Sequence, residues 1–277
     1  ALEAGDVVRM GDTLFVIDHA RSEPDGDAAC RFPSHASHVV ALLTREGARL
    51  PFPVLVHGAA GTDKEAIARQ IFAESGRDGA FVHVDCGALL EAWRGAELFG
   101  SVAGARPEIE ASTVGAAQRA DGGMLYLDGV DQLVGSVQRT LARMVSTRRI
   151  RPVGATRSQE LDLRIVASVD RDLDKTEDVA LRPDLRAVLE SWPIRAPALR
   201  ERRADIPRLL GPDLRFSADA MEAALISDWP THDMGLFQLS KRLRLEPGAH
   251  REIALSDLPS ALGREVALRR QTAFRRS

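Results

Sequence analysis

The sequence predicts an α/β protein: a parallel sheet with helices on both faces, followed by a small α-helical lid domain. Three observations carry this prediction. From about residue 34, short apolar β-rich runs alternate with amphipathic helical stretches, a pattern that buries a parallel sheet between two helical layers. The run Val54-Leu55-Val56 leads straight into His57-Gly58-Ala59-Ala60-Gly61-Thr62-Asp63-Lys64-Glu65, which has the outline of a phosphate-binding loop. After Leu210 the strand signals cease and the pattern turns helical.

Residues 6–17 hold two short β-prone runs around Met10-Gly11-Asp12, the pattern of a hairpin. Ser22-Glu23-Pro24-Asp25-Gly26-Asp27 has linker composition. A helix is then expected near 36–47, a strand over 53–57, a helix over 64–75, strands over 81–84 and 124–128, a helix over 134–146 and a strand over 163–168. Ser217 is placed to cap a helix running to about Ile226, and a further helix is expected from about Met234 to Leu243. The chain thus reads as a hairpin (1–21), a linker (22–33), an α/β core (34–210), a helical lid (211–260) and a basic tail (261–277).

At 277 residues and 44% hydrophobic content, the chain can bury one substantial core and carry a smaller second domain. Its 37 basic and 40 acidic residues leave a net charge of -3, so no global attraction to nucleic acid or anionic membrane is implied and partner choice falls to local surfaces. Cys30 and Cys86 show no metal-ligand spacing; two isolated thiols suit a reducing compartment, and no disulfide is expected. The longest apolar runs, such as Val39-Val40-Ala41-Leu42-Leu43, are too short to span a bilayer, and the first residues lack a basic-then-apolar signal. A cytoplasmic protein is expected.

In a phosphate-binding loop, glycines let successive backbone N–H groups converge on the phosphates while a lysine reaches the terminal ones. Lys64 is present, but Asp63 stands just before it, where such loops normally carry glycine. Two like charges about 4 Å apart at an effective dielectric of about 20 repel by about 4 kcal/mol, roughly a thousandfold in affinity. The loop is built like that of a nucleoside triphosphatase and damaged as one.

Further segments follow in order: Glu97-Leu98-Phe99-Gly100, Gly122-Gly123-Met124-Leu125-Tyr126-Leu127-Asp128, Leu163-Arg164-Ile165-Val166-Ala167-Ser168, Pro193-Ile194-Arg195, Leu199-Arg200-Glu201-Arg202-Arg203-Ala204-Asp205-Ile206 and Trp229-Pro230. With the loop from Gly58 to Glu65, they resemble the central AAA+ domain of bacterial enhancer-binding proteins, the sigma-54-dependent transcription activators, over roughly residues 34 to 245. The hairpin resembles the last strands of a forkhead-associated domain; an ordinary hairpin is the alternative.

The resemblance implies a ring-forming ATPase that remodels sigma-54 RNA polymerase, with nucleotide contacts falling on Gly58, Gly61, Thr62, Lys64, Glu65 and Asp128. It also exposes a series of losses. The family's Walker B strand ends Asp-Glu, the aspartate serving magnesium and the glutamate the attacking water; this chain ends Asp128-Gly129, and Asp131 is displaced too far to replace the base. The asparagine that contacts that glutamate falls on Asp85, and the sensor asparagine on Asp170, next to the γ-phosphate region. Of two arginines inserted from a neighbouring subunit, one is kept as Arg182 and the other is Val188, with Arg186 on the opposite side of the turn. Arg182 is either that trans arginine or a solvated surface residue. The lid's sensor arginine is replaced by Met234, and His232 beside it is expected to be a surface histidine. The sigma-54 loop Gly-Ala-Phe-Thr-Gly-Ala has become Gly104-Ala105-Arg106-Pro107-Glu108-Ile109, charged and rigid where the family is apolar and small.

The expectation is a degenerate AAA+ module, regulatory or scaffolding, with no catalytic residue, weak or no binding of ATP or ADP, poor retention of magnesium and no other metal. Its partners are proteins, including self-association through AAA+ surfaces, without productive sigma-54 contact; no DNA-binding motif is seen, and the arginines of the tail read as a solvated basic segment. Two alternatives stand beside it: a working ATP-dependent activator and a nucleotide sensor that does not hydrolyse. Asp63→Gly is expected to restore nucleotide binding more than any other single change.

Overall fold

In the computed structural model, residues 2–19, 33–90, 94–107, 109–174, 180–245 and 252–262 are described. In chain order the strands and helices are β1 (Val7–Met10), β2 (Thr13–Val16), α1 (His35–Arg49), β3 (Val54–His57), α2 (Lys64–Glu74), β4 (Phe81–Asp85), α3 (Arg94–Phe99), α4 (Ala116–Arg119), β5 (Met124–Asp128), α5 (Gly135–Thr147), β6 (Arg149–Ile150), β7 (Gln159–Glu160), β8 (Arg164–Val169), α6 (Pro183–Leu189), β9 (Pro193–Arg195), α7 (Ile206–Leu210), β10 (Arg215–Phe216), α8 (Ala218–Ile226), α9 (His232–Leu245) and β11 (Glu252–Ile253). They divide into two units, one of Leu42–Ala59 and Lys64–Ala196, the other of Ala1–Ala41, Ala60–Asp63 and Pro197–Ser277.

The first unit is built on a five-stranded parallel sheet in the order β4-β5-β8-β3-β9. Val54–His57 pairs with Val166–Val169, Met124–Leu127 with Arg164–Ala167, and Phe81–Asp85 with Met124–Asp128. The four apolar runs read from the sequence are neighbouring strands, and β3 and β8 are buried along their whole length. That burial is why they read as unbroken apolar runs and not as alternation. A fifth strand, β9, lies at the edge beside β3; three residues beginning with proline give no period to read, and an edge is where proline is tolerated. Helices α5 and α6 close one face, placing Leu141, Leu185 and Leu189 in one buried cluster with Leu55, Leu125 and Leu127. Within β8, Arg164 is buried, has no acidic partner among the described residues and donates to the Gly47 carbonyl at 2.6 Å; burial lowers its pKa to about 10.

The second unit packs α7, α8 and α9 around Leu210, Ala223, Ala224, Trp229, Leu236 and Leu239. A two-residue parallel pair, β10 with β11, completes it; such pairs are too short for sequence periodicity to reveal. Ser217 caps α8 as its sequence position suggests, accepting the Ala220 N–H at 3.3 Å. The β1–β2 hairpin turns at Gly11-Asp12 and sends Val7, Leu14 and Val16 into the same apolar cluster. Its Arg9 pairs with Asp219 and Glu222 on α8.

The Leu199–Ile206 run is structural. Asp205 is fully buried and accepts from the Ser34 N–H at 2.8 Å, the Ser34 hydroxyl at 2.7 Å and the Ser37 hydroxyl at 2.5 Å, fixing the start of α1. Arg202 pairs with Asp233 and donates to the Pro197 carbonyl at 3.2 Å. His232, expected at the surface, is instead buried: it begins α9 with its Nδ1 3.5 Å from the Leu199 N–H. A polar neighbourhood in sequence hid an inward-facing ring. Residues 22–32, Cys30 among them, and the tail from 263 lie outside the described residues. Among the described residues no helix is long and apolar enough to cross a membrane.

Two stability tests follow. Asp205→Ala leaves three donors unanswered, at least one of them in a dry site, and is expected to cost about 3 kcal/mol or more in urea unfolding. Asp162→Ala, which removes an exposed partner of Arg77, is expected to change stability by less than about 1 kcal/mol. The second test is pH. Burial holds His57 and His232 below the usual imidazole value, and the His57 Nδ1 accepts the Leu173 N–H at 3.2 Å. The unfolded chain therefore takes up protons that the folded one resists, so stability is expected to fall as pH drops below about 6.5. His57→Asn, which keeps an acceptor and loses the titration, should flatten that fall in melting curves between about pH 5 and pH 6.5.

Candidate functional site

Parallel strands deliver their C-terminal ends to one edge of the sheet, and that edge is where ligands bind in open α/β folds. Here it gathers the loop after β3, Asp128 at the end of β5 and Asp170 immediately after β8. Lys64 opens α2 and is only 5% exposed. Its ammonium reaches the Gly58 carbonyl at 3.3 Å, the Ala59 carbonyl at 3.1 Å and the Asp170 carboxylate at 2.6 Å. The carboxylate expected to repel phosphate is thus the partner of the phosphate-binding lysine. A charge buried this deeply requires a counter-charge, and Asp170 supplies one from within the chain.

Asp63 sits at φ 52°, the left-handed region that glycine occupies freely and that aspartate tolerates better than most residues. Its side chain is exposed. Gly61 is required by close approach: a Cβ there would lie 2.4 Å from the Thr231 carbonyl oxygen, and its own carbonyl accepts the Asp233 N–H at 3.0 Å. Thr62 is buried, and Gly58 follows β3 directly. Glu65 is engaged by Arg69 one turn later, at 2.6 Å.

At the end of β5, Asp128 accepts from the Ser168 hydroxyl and from the Tyr126 phenol at 3.1 Å, with His83 Nε2 at 3.8 Å. Burial pushes the phenol pKa far up, which keeps it a donor. Ser168 in turn accepts the Gly129 N–H at 3.1 Å. Gly129 lies at φ 67° and heads a single 3-10 turn, Val130–Gln132; a Cβ there would come 2.4 Å from the Gln132 amide nitrogen. The position lacks the glutamate and also holds a backbone conformation that a glutamate adopts only under strain. Asp131 in that turn is half-buried, with one oxygen unpartnered and its pKa raised by burial. Asp85 accepts the N–H groups of Gly87 at 2.9 Å and Ala88 at 3.1 Å and so closes the turn after β4. The three substituted aspartates do three different things: Asp170 neutralises, Asp85 caps a turn and Asp63 holds a left-handed bend.

These residues do not fit a nucleoside triphosphate in the arrangement they adopt. A terminal phosphate and the Asp170 carboxylate compete for one ammonium, and among the described residues Asp128 is held by a hydroxyl and a phenol with no glutamate beside it. Elsewhere, Arg182 precedes α6 with its guanidinium folded onto Asp184 at 3.0 Å. Val188 packs, partly buried, against the apolar core. Met234 is 53% exposed in the first turn of α9. In the 104–107 loop, Ala105 is half-buried, Gly104, Arg106 and Pro107 are exposed, and the Gly104 N–H bonds the Ile109 carbonyl at 2.8 Å.

Sequence reasoning missed two features of this unit. Ser168, read as part of a strand, ties Asp128 to the Gly129 backbone; a hydroxyl at the end of a buried strand was the available signal. His57, Asp172 and Asp174 bring ligand-type atoms within 4.8 Å of one another. The Arg195 guanidinium holds Asp172 at 2.8 Å and Asp174 at 3.5 Å, so the acidic charge is answered by arginine.

The model of the sigma-54 interaction domain matches residues 33–195. The hydrogenase transcriptional regulatory protein HoxA of Bradyrhizobium diazoefficiens is 37% identical over 70% of the chain and 43% of its own length. The regulatory protein LuxO of Vibrio cholerae is 32% identical over 80% of the chain and 46% of its own length. NtrX from Brucella abortus, solved in complex with ATP, superposes with a TM-score of 0.73 at 28% identity over 84% of this chain and 54% of that one. The chain spans less than half the length of these two curated relatives. With a family model covering more than half its residues and an AAA+ fold similar to that of NtrX, the chain belongs to the sigma-54 interaction domain family.

Proposed function

We propose that this chain is a degenerate AAA+ module of the sigma-54 activator type, a regulatory or scaffolding pseudo-ATPase in transcription control whose phosphate-binding lysine is occupied by its own carboxylate. The observation that carries the reading is the 2.6 Å contact between Lys64 and Asp170. With it, the loop is electrostatically complete without a nucleotide. Asp63 adds a second anion next to the lysine in sequence, and Gly129 removes the proton acceptor that hydrolysis needs. Because catalysis needs base, sensors and arginines together, losing them jointly argues against turnover more strongly than any one loss. The charged, proline-containing 104–107 loop supports partners other than sigma-54. The chain retains Lys64 and Asp128, and NtrX was solved with ADP and with ATP; these favour a second reading, a nucleotide sensor that binds weakly and does not hydrolyse.

Calorimetry separates the two. Wild type is expected to bind ATP in the millimolar range, and Asp170→Asn to tighten it at least tenfold, about 1.4 kcal/mol, by leaving Lys64 for the phosphates. Asp63→Gly is expected to gain less, so we place the larger block at Asp170. Equal affinities for wild type and Asp170→Asn would end the self-occupied reading, and micromolar binding by wild type would favour the sensor.

Hydrolysis is expected at background, since a general base contributes about a hundred- to ten-thousandfold. Gly129→Glu should not rescue it, for the new side chain would start from a left-handed backbone. Turnover of about one ATP per second in wild type, abolished by Lys64→Ala, would overturn the pseudo-ATPase assignment.

A further inference from the structure

Helix α5 and the segment through β6 frame a groove of about 1310 Å³ lined by Arg106, Arg139, Arg143, Arg149, Arg151 and Arg157. No described acidic residue lines it, in a chain whose net charge is -3. The arrangement is regular on both sides. Arg139 and Arg143 are one turn apart on α5 and share a face; Arg149 and Arg151 are two residues apart along an extended segment, the spacing that puts side chains on one side of a strand. All six are exposed, and the five other than Arg106 have, among the described residues, no ion pair or side-chain hydrogen bond. Glu160 opposes Arg149 across the β6–β7 pair but does not line the groove.

Several arginines elsewhere in this unit are paired. Arg69 pairs with Glu65, Arg77 with Asp162, Arg182 with Asp184 and Arg186 with Glu190. Arg49, Arg119, Arg148 and Arg171 are also exposed without an ion pair among the described residues, but they stand outside this groove, which gathers five such guanidiniums in one lining. Such a cluster repels itself until an anion enters. The exposed lining between the arginines is hydroxyl-bearing, including Thr140, Thr147 and Thr156, whereas Phe99, Met144 and Ile150 form a buried floor. Guanidinium forks and hydroxyls are the groups that contact phosphate oxygens. An acidic protein segment would seek exposed apolar anchor points as well, and the groove offers few.

We propose that this groove binds the phosphate backbone of a nucleic acid without reading its sequence. The inference is independent of whether the loop around Lys64 binds nucleotide. It is tested by fluorescence anisotropy of the whole chain with a labelled mixed-sequence 20-mer, duplex and single-stranded, over a salt series. With five guanidiniums neutralising phosphate, log affinity is expected to fall against log salt with a slope of about -4.5 for duplex or about -3.5 for a single strand. Replacing Arg139, Arg143, Arg149 and Arg151 with glutamine should flatten the slope by about 3 to 4 and weaken binding at 50 mM salt, taken as an order-of-magnitude working condition, by about a hundredfold or more. Arg143→Gln alone should flatten it by about 1. Arg69→Gln with Arg186→Gln should change neither. Because these side chains are exposed and unpaired, the melting temperature should not drop. Wild-type affinity in the four-site variant would assign binding to the arginines beyond residue 263 and overturn the proposal. So would a failure to bind either oligonucleotide, or competition by poly-glutamate as effective as by DNA of equal charge.

Discussion

An ammonium buried at the edge of a parallel sheet must find an anion, and the arrangement around Lys64 follows from that need. Strand β3 ends in the loop that leads to Lys64, and β8 ends one residue before Asp170. Because β3 and β8 pair directly, from Val54 with Val166 to His57 with Val169, the two ends emerge side by side, roughly 5 Å apart. The ion pair is therefore a product of strand order. With the lysine's charge met internally, the Gly58 and Ala59 carbonyls can point at the same ammonium without an added ligand to balance them.

The substitutions that change the chemistry leave the sheet intact. Asp85 is the last residue of β4, and Asp63, Gly129 and Asp170 lie beyond strand ends, in positions whose side chains the core does not need. Val188 differs, since its side chain is part of the apolar packing. Gly129 holds a left-handed backbone conformation that a residue with a side chain adopts only under strain.

The sheet was legible because buried parallel strands are long enough to show as apolar runs, and the loop because Lys64 and its glycines lie close together in sequence. What could not be read depended on contacts between distant segments. Asp170 was recognisable as an anion near the site, but whether it repels a phosphate or replaces one depends on the neighbour of β8. Asp205 lay in a run recognised as distinctive, yet its task is set by Ser34 and Ser37, far away in the chain. His232 sits among polar residues and faces inward all the same. The groove arginines are scattered from 106 to 157, and the short basic cluster Arg148-Arg149-Ile150-Arg151 holds only two of them, so charge patterning along the sequence does not show the set.

Arg9 gives the hairpin a mechanical character. Its guanidinium spans Asp219 and Glu222, one helical turn's worth of α8, while Val7, Leu14 and Val16 anchor the strands in the apolar cluster beneath. Hairpin and helix are thereby a single lever. A pull on the first strand would load α8 through an ionic clamp and an apolar footing at once, and the force would enter the helical unit without passing through the polar stretch that follows the hairpin in sequence.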